Sequence, residues 1–203
     1  MPITGVDSSS ACTDTSIACL KAGGYSFVGR YYSRTTHIAG KKLTKAEAEL
    51  IAKSGLILVT VYEDGPTQAS YFSAARGTQD AEAALAQAAA IGQPRDSAIY
   101  FTVDYDAAHG DITGGITEYF KAIAATINNA YAVGVYGSGA VCTAIKGGGL
   151  ATYAWLAQST GWTGFHEYAG WNIRQGAEQS VCGLNSDLDE AQGEYGGFTL
   201  TLE

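Results

Sequence analysis

The stretch AIYFTVDYDAAHGD, residues 98–111, places a short apolar run directly before two aspartates. Nearly continuous apolar runs of this length are typical of strands that are buried on both faces of a parallel sheet. Asp104 and Asp106 follow the run one residue apart. Side chains at i and i+2 of a strand share a face, with Cα atoms about 6.6 Å apart, so two carboxylates there repel each other and cost stability. We therefore interpret the end of this strand as a candidate functional site.

The same alternation of an apolar run and a helical stretch recurs along the whole chain. The apolar runs predict strands at 3–7, 27–33, 56–64, 98–103, 131–138, 152–158, 171–175 and 186–192. The helical stretches are 14–22, 44–55, 68–91, 114–129 and 139–146, the third of them broken near Gly77.

Strands that alternate with helices pair in parallel, and eight such units predict an α/β fold, a single closed (β/α)8 TIM-type barrel with shortened later helices. We expect one domain over residues 1–203. The alternative is an open doubly wound sheet, but no glycine-rich nucleotide-binding motif supports it.

The composition excludes several classes of partner. The chain has a formal net charge of −8 and a pI of about 4.8, which argues against binding to nucleic acids or anionic membranes. No apolar run approaches the ~20 residues needed to span a bilayer. The start, MPITGVDSSS, lacks a secretory signal. We expect that the protein is cytosolic, that another route exports it, or that a leader has been trimmed from it.

Four cysteines leave the redox state open. None forms a CxxC pair, so no zinc site is expected. Either all four thiols are reduced, or two disulfides form, for which Cys12–Cys19 and Cys142–Cys182 are candidates. Disulfides would indicate an oxidising compartment.

Acids follow several of the predicted strands, at the end of the barrel where active sites lie. They are Asp7 after the first strand, Glu63 and Asp64 after the third, Asp104 and Asp106 after the fourth, and Asp187 and Asp189 on the eighth. We expect Asp7, Glu63, Asp104 and Asp106 to be catalytic, because the ends of buried strands rarely carry acids by chance. Asp64 and Asp189 are interpreted as structural, since each sits beside a better-placed acid.

Aromatic and amide side chains are predicted at the same rim as the acids. The predicted substrate-binding residues are Arg30, Tyr32, Tyr136, Trp155, Gln158 and Gln175. Glycoside cleavage needs one acid to protonate the leaving oxygen and a second carboxylate to stabilise the sugar carbon. Aromatic rings lie against sugar rings, and amides hold hydroxyl and N-acetyl groups, although Tyr136 and Trp155 would also suit the core.

A metal site is the competing interpretation of the acids. Magnesium bound by Asp7, Asp104 and Asp106 is the alternative, because hard cations favour carboxylate oxygens. A calcium loop of the EF-hand type is excluded, because its fifth and sixth positions would be Ala108 and His109. We expect no cofactor.

Seven short motifs, spread in order over nearly the whole chain, are similar to those of a known protein family. The motifs are GVDSSS at 5–10, GRYYS at 29–33, VYEDG at 61–65, VDYD at 103–106, GVYGS at 134–138, WLAQ at 155–158 and SDLDEA at 186–191. The motifs at 5–10, 103–106, 134–138, 155–158 and 186–191 resemble glycoside hydrolase family 25, muramidases that cleave peptidoglycan between N-acetylmuramic acid and N-acetylglucosamine. With the motifs at 29–33 and 61–65, the chain is more similar to their relatives, the glycoside-hydrolase-like domain of unknown function 1906.

The resemblance implies roles for individual residues. Asp7 would line the cleft, and Asp187 would match the eighth-strand aspartate and position the substrate. The fourth-strand Asp-x-Glu motif of family 25, whose Glu is the acid, reads Asp104-Tyr105-Asp106 in this chain. Because Asp106 is one methylene shorter than that Glu, the acid is either Asp106 or Glu63. In family 25 the acetamido group of the substrate is thought to act as the nucleophile.

The expected function is thus a peptidoglycan-directed glycoside hydrolase, lysozyme-like, that acts outside the cytoplasm on peptidoglycan or another N-acetyl-sugar polysaccharide. A phage lysin, an injected toxin with a dedicated inhibitor protein, and a wall-remodelling enzyme all fit this expectation. A glycan-binding barrel without catalysis and a metal-dependent hydrolase are the alternatives.

Overall fold

A closed eight-stranded barrel forms the centre of the fold. The computed structural model describes residues 3–201, so residues 1–2 and 202–203 of the predicted domain lie outside the described part. The strands are β1 (Ile3–Ser8), β2 (Phe27–Tyr32), β3 (Ile57–Tyr62), β4 (Ala98–Thr102), β5 (Ala132–Gly137), β6 (Tyr153–Leu156), β7 (Ile173–Val181) and β8 (Leu184–Ala191). They close the barrel in sequence order, which confirms the predicted fold class.

Helices connect the first six strands and surround the barrel. They are α1 (Asp14–Ala22), α2 (Lys45–Ser54), α3 (Ala74–Ile91), the single turn α4 (His109–Asp111), α5 (Thr117–Ile127) and α6 (Gly139–Gly147). A 3-10 turn at Ala69–Tyr71 precedes α3, and a π-helical turn at Ile112–Ile116 joins α4 to α5. Within residues 3–201, every helix is too short or too polar to cross a membrane.

The eighth strand runs against its neighbours, which corrects the expectation of parallel pairing throughout. Strands β1 to β7 pair in parallel, whereas β8 is antiparallel to both β7 and β1. The cause is the two-residue connection Cys182-Gly183, whose φ values of 54° and 79° fit a tight hairpin turn. Parallel pairing would need a crossover of a dozen or more residues.

Large aromatic side chains fill the barrel lumen below its mouth. Phe27, Tyr100 and Trp155 belong to one buried lumenal cluster. Glycines on other strands make room for them, since a Cβ on Gly134 would lie 2.3 Å from the Tyr100 ring and a Cβ on Gly29, on the far side of the barrel, would lie 2.8 Å from Trp155. The lumen is therefore packed, and any cavity must lie above these rings.

The helical stretch 68–91 is broken as predicted, but at Phe72 and Ser73, between the 3-10 turn and α3, and not at Gly77. Helix α3 continues through this residue. A Cβ on Gly77 would lie 2.3 Å from the backbone oxygen of Tyr119 on α5. The glycine therefore allows close packing of the two helices instead of ending one of them.

One disulfide joins two distant parts of the chain. Cys19 on α1 is bonded to Cys182 at the hairpin turn, and Cys12 and Cys142 are free and buried. Neither candidate pairing from the sequence forms. The observed pairing depends on where the β7–β8 hairpin lies in the fold, and it spans 163 residues of sequence.

Candidate active site

A polar cavity of about 210 Å³ opens at the mouth of the barrel. Predicted catalytic and binding residues line it, namely Asp7, Glu63, Asp104, Tyr136, Trp155, Gln158, Gln175 and Asp187, together with Tyr31, Val61 and Thr102, which were not predicted. The structure therefore brings most of the predicted site residues together. Three others, Asp106, Arg30 and Tyr32, do not line this cavity.

Strand register explains why acids from opposite ends of the chain meet. Asp7 on β1 lies directly opposite Asp187 on β8 in the antiparallel ladder. Tyr136 and Trp155 are paired across β5 and β6, and their rings meet edge to face at 5.9 Å. Acids and aromatic rings thus line the same cavity.

Gln175 lies at the centre of the hydrogen-bond network in the cavity. Its Nε2 donates to Asp7 Oδ2 at 2.8 Å and to Asp187 Oδ2 at 3.2 Å, and its Oε1 accepts from Tyr136 Oη at 2.7 Å. Gln158 Nε2 donates to the other oxygen of Asp187 at 3.2 Å. The two amides therefore hold the carboxyl groups of Asp7 and Asp187 in place.

Tyr31 is a cavity residue that sequence reasoning missed. Its hydroxyl donates to Asp7 Oδ1. Burial and the charges of Asp7 and Glu63 hold the pKa of Tyr31 well above its ordinary value, so it remains a donor. Tyr31 shares the lumenal face with Gly29, two positions earlier on β2, but no pattern in the sequence shows that this face points inwards.

Lys41 brings a positive charge to this acidic cavity. It comes from the loop between β2 and α2, and its Nζ lies 2.7 Å from Glu63 Oε1. The same ammonium group lies 4.5 Å from the centre of the Tyr31 ring. Glu63, one of the two predicted acids, is thus already engaged in an ion pair. No pattern in the sequence indicates Lys41, because its position depends on the path of a loop.

Three carboxyl groups of the cavity have raised pKa values. Burial raises the pKa of Asp7, and the hydrogen bonds from Tyr31 and Gln175 oppose that rise. Burial, assisted by the charges of Asp7 and Glu178, raises the pKa of Asp187 to about 7. Burial and the charge of Glu63 raise the pKa of Asp104, and Lys41 opposes that rise. Asp187 can therefore carry a proton near neutral pH while it lies beside other carboxyl groups.

Asp106 turns away from the cavity. Strand β4 ends at Thr102, so the rule that residues i and i+2 share a face no longer holds at Asp104 and Asp106. Asp106 is exposed, and its two oxygens accept hydrogen bonds from the N–H of Thr163 at 2.8 Å and from its hydroxyl at 3.2 Å. The structure thus places Asp106 as an anchor for the loop 157–172, apart from Asp104.

Arg30 and Tyr32 lie on the outer face of the barrel wall. Arg30 Nε donates to Glu47 Oε1 on α2 at 2.7 Å, and Tyr32 Oη donates to Gln93 Oε1 at 2.7 Å. Their predicted place at the rim beside the acids is wrong, because β2 is buried on both faces and its pattern does not show which side faces the lumen. Both residues tie the barrel to the surrounding layer.

The two acids interpreted as structural also have identifiable partners. Asp64 Oδ1 accepts hydrogen bonds from the hydroxyl of Ser33 and the N–H groups of Arg34 and Thr35, so it organises the loop after β2. Asp189 is 2% exposed below the cavity, where Trp155 Nε1 donates to its Oδ1 at 3.0 Å.

The acids of residues 3–201 are not arranged to hold a metal ion. No group of three or more His, Cys, Asp or Glu side chains in this part of the chain has the required proximity. The magnesium site considered from the sequence would also need Asp106, which faces away from Asp7 and Asp104.

Comparison with solved structures places the fold among known proteins. The Tat-secreted protein Rv2525c of Mycobacterium tuberculosis has a TM-score of 0.81 at 22% identity, with 96% of this chain and 98% of that chain covered. A lysozyme from Streptomyces coelicolor has a TM-score of 0.58 at 16% identity, with 96% and 94% covered. At these levels of identity, both comparisons show similarity of fold only.

Sequence comparison gives the family. The uncharacterized protein FadG of Bacillus subtilis is 34% identical over an alignment of 164 residues, and the match covers 78% of this chain and 28% of FadG. The chain thus spans little more than a quarter of that relative. A family model described as the Rv2525c-like, glycoside hydrolase-like domain matches residues 18–192. The resemblance expected from the motifs is confirmed, and the chain belongs to the Rv2525c-like, glycoside hydrolase-like domain family.

Proposed function

We propose that this domain is a peptidoglycan-directed glycoside hydrolase that cleaves N-acetyl sugar linkages by carboxylate acid/base catalysis. The observation that supports it most is the gathering of Asp7, Glu63, Asp104 and Asp187 around one cavity. Glycosidases need a protonated carboxyl group beside an ionised one. Asp187, with a pKa of about 7, and its neighbour Asp7 fit that requirement.

We assign the role of proton donor to Asp187. Of the two acids expected from the sequence, Asp106 faces solvent and Glu63 is paired with Lys41. Asp104 and Asp7 would stabilise the positive charge that develops at the sugar carbon, or orient the acetamido group of the substrate. Tyr136 presents an aromatic ring at the cavity wall.

The place of action that we propose is outside the cytoplasm. The Cys19–Cys182 disulfide supports this, because such bonds persist in oxidising compartments. The fold neighbour Rv2525c is itself a Tat-secreted protein, and another neighbour is a lysozyme.

The test is mass spectrometry of purified peptidoglycan after incubation with the protein, because new reducing ends identify both the reaction and the bond. We expect muropeptides from the wild type and at least about a hundredfold less from Asp187→Asn and Asp104→Asn. Glu190→Gln is the matched control, since Glu190 lies on the same strand but pairs with Arg174 at the surface. The proposal fails if the wild type releases no product or if both cavity variants retain full activity.

A glycan-binding barrel without catalysis is the second candidate. The observation that favours it is Asp106, which occupies the position of the family 25 acid yet binds Thr163 instead of facing the cavity. Retention of the protein on N-acetyl-sugar polymers, with no new reducing ends after long incubation, would support this candidate over the hydrolase.

A further inference from the structure

Asp189 is a buried acid, and only one of its two carboxyl oxygens has a hydrogen-bond donor among residues 3–201. It lies on β8 two residues from Asp187, so both side chains face the lumen. Trp155 Nε1 donates to Asp189 Oδ1 at 3.0 Å. Asp189 Oδ2 is buried and has no hydrogen-bond donor within reach among residues 3–201. A buried oxygen without a partner is costly and needs an explanation.

Asp7 supplies that explanation. Asp189 is the diagonal neighbour of Asp7 in the β1–β8 ladder, because Asp7 pairs with Asp187 and Asp189 pairs with Gly5, which has no side chain. Both carboxyl groups face the lumen, and a side-chain hydrogen bond links them. Two ionised carboxylates cannot form such a contact, because both can only accept. A single proton on one of them turns the contact into a hydrogen bond and satisfies the orphaned oxygen.

The proton belongs on Asp189, because Asp7 already has two other donors. Tyr31 Oη donates to Asp7 Oδ1, and Gln175 Nε2 donates to Asp7 Oδ2. Hydrogen bonds of this kind favour the ionised form of the acid that accepts them. Among residues 3–201, Asp189 has one such donor, Trp155.

We propose that Asp189 is a neutral carboxylic acid that donates a hydrogen bond from Oδ2 to the Asp7 carboxylate and thereby positions Asp7. The effect on catalysis rests on the proposed glycosidase function, whereas the protonation state of Asp189 does not. Asp189 touches no substrate in this scheme, so it is a positioning residue and not a catalytic one.

The charges around Asp189 agree with a neutral acid. The titratable groups that face it are Asp7 on β1, Tyr100 on β4, Tyr136 on β5 and Asp187 on β8, and none of them is a cation. Within the described chain, no lysine, arginine or histidine forms an ion pair with Asp7 or Asp189. Burial and the charge of Asp7 raise the pKa of Asp189 well above its ordinary value.

Infrared spectroscopy tests the protonation state without any substrate. At about pH 9, Asp187 should be ionised, because its pKa is about 7. We expect the carbonyl stretch of a protonated carboxyl group to persist in the wild type at this pH and to disappear in Asp189→Asn. The Glu190→Gln control should keep the band. Its absence from the wild type, or its persistence in Asp189→Asn, would overturn the proposal.

Two substitutions at the same position test the hydrogen bond. Asn can still donate to Asp7 through Nδ2 and accept from Trp155 through Oδ1, whereas Leu fills the space and donates nothing. On purified peptidoglycan we expect Asp189→Asn to keep kcat within about threefold of the wild type, and Asp189→Leu to lower it by about ten- to a hundredfold, the usual effect of an orienting partner. Loss of activity in both variants would mean that the charge of Asp189 is required, and would contradict the proposal.

Unfolding measurements keep the test valid if Asp189→Leu does not fold or if the wild type cleaves nothing. An acid that is neutral only in the folded state makes stability fall as pH rises above its unfolded pKa of about 3.9. The free energy of unfolding of Asp189→Asn should therefore fall less with rising pH than that of the wild type. The variant should become more stable relative to the wild type as pH increases. If the free energy of unfolding depends on pH equally in the two proteins, Asp189 is not neutral in the folded state. This conclusion holds whatever the outcome for the proposed function.

Discussion

Asp7 and Asp187 lie directly opposite each other across the β1–β8 ladder, although 180 positions separate them in the sequence. Opposite residues of an antiparallel pair have Cβ atoms about 4.5–5.5 Å apart. The charge of Asp7 contributes to the raised pKa of Asp187, and Gln175 donates a hydrogen bond to each. A carboxylate and a potential proton donor are thus held side by side at the mouth of the barrel.

The pH dependence of activity should follow Asp187. If Asp187 donates the proton, activity falls as pH rises through about 7, because the group then loses that proton. We expect Asp187→Asn to lower muropeptide release by at least about a hundredfold. The measurement is the rate of release between pH 5 and 9. If the residual rate of the Asp187→Asn variant still falls as pH rises through about 7, the group that titrates is another residue.

Substituting Asp106 should affect the loop 157–172 and not the chemistry. We expect Asp106→Ala to speed amide hydrogen exchange around Thr163 and to lower the free energy of unfolding by less than about 1 kcal/mol, because the contact is solvent-exposed. Muropeptide release should stay within a few-fold of the wild type. Asp104→Asn is the comparison, since Asp104 does line the cavity. If Asp106→Ala folds normally and abolishes release, the acid is Asp106 after all.

Breaking the Arg30–Glu47 pair should destabilise the barrel. Both side chains are buried, with 0% and 5% exposure. Glu47→Gln leaves the Arg30 cation without its counter-charge, so we expect a loss of about 3–5 kcal/mol in urea unfolding. Lys121→Gln is the control, because its pair with Glu118 is exposed and should cost less than about 1 kcal/mol. A raised KM for glycan with unchanged stability would instead point to contact between Arg30 and substrate.

The disulfide should contribute to stability and be detectable by thiol counting. In the unreduced, denatured protein we expect two reactive thiols, those of Cys12 and Cys142. Replacing both Cys19 and Cys182 by serine should lower the free energy of unfolding by about 2–5 kcal/mol, because the bond closes a long loop in the unfolded chain. Four reactive thiols before reduction, or unchanged stability of the double variant, would contradict this assignment.

Much of the architecture could be predicted because it is encoded locally. Apolar runs and cap residues marked strands and helices; for example, Thr44 accepts from the N–H of Glu47 at the start of α2, and Gly55 ends that helix with a φ of 78°. The acids also stood out, since charged residues at the ends of buried strands are unusual. Local signals of this kind do not depend on what the rest of the chain does.

The errors share a different cause. Arg30 was placed in the cavity instead of Tyr31 because a strand buried on both faces carries no two-residue periodicity. Asp106 was grouped with Asp104 because β4 was expected to extend beyond Thr102. The reversal of β8 was missed because the Cys182-Gly183 turn does not match the common hairpin dipeptides.

The order of strands and helices, the closed barrel and the set of acids from which a site could be built can be predicted from the amino-acid sequence, because propensity and burial act over short segments. Which of those acids meet depends on contacts between distant segments. Side-chain direction, the ladder that places Asp187 opposite Asp7, the disulfide at Cys182 and the approach of Lys41 to Glu63 depend on strand register and loop path. Those are set by packing between segments that are distant in the chain.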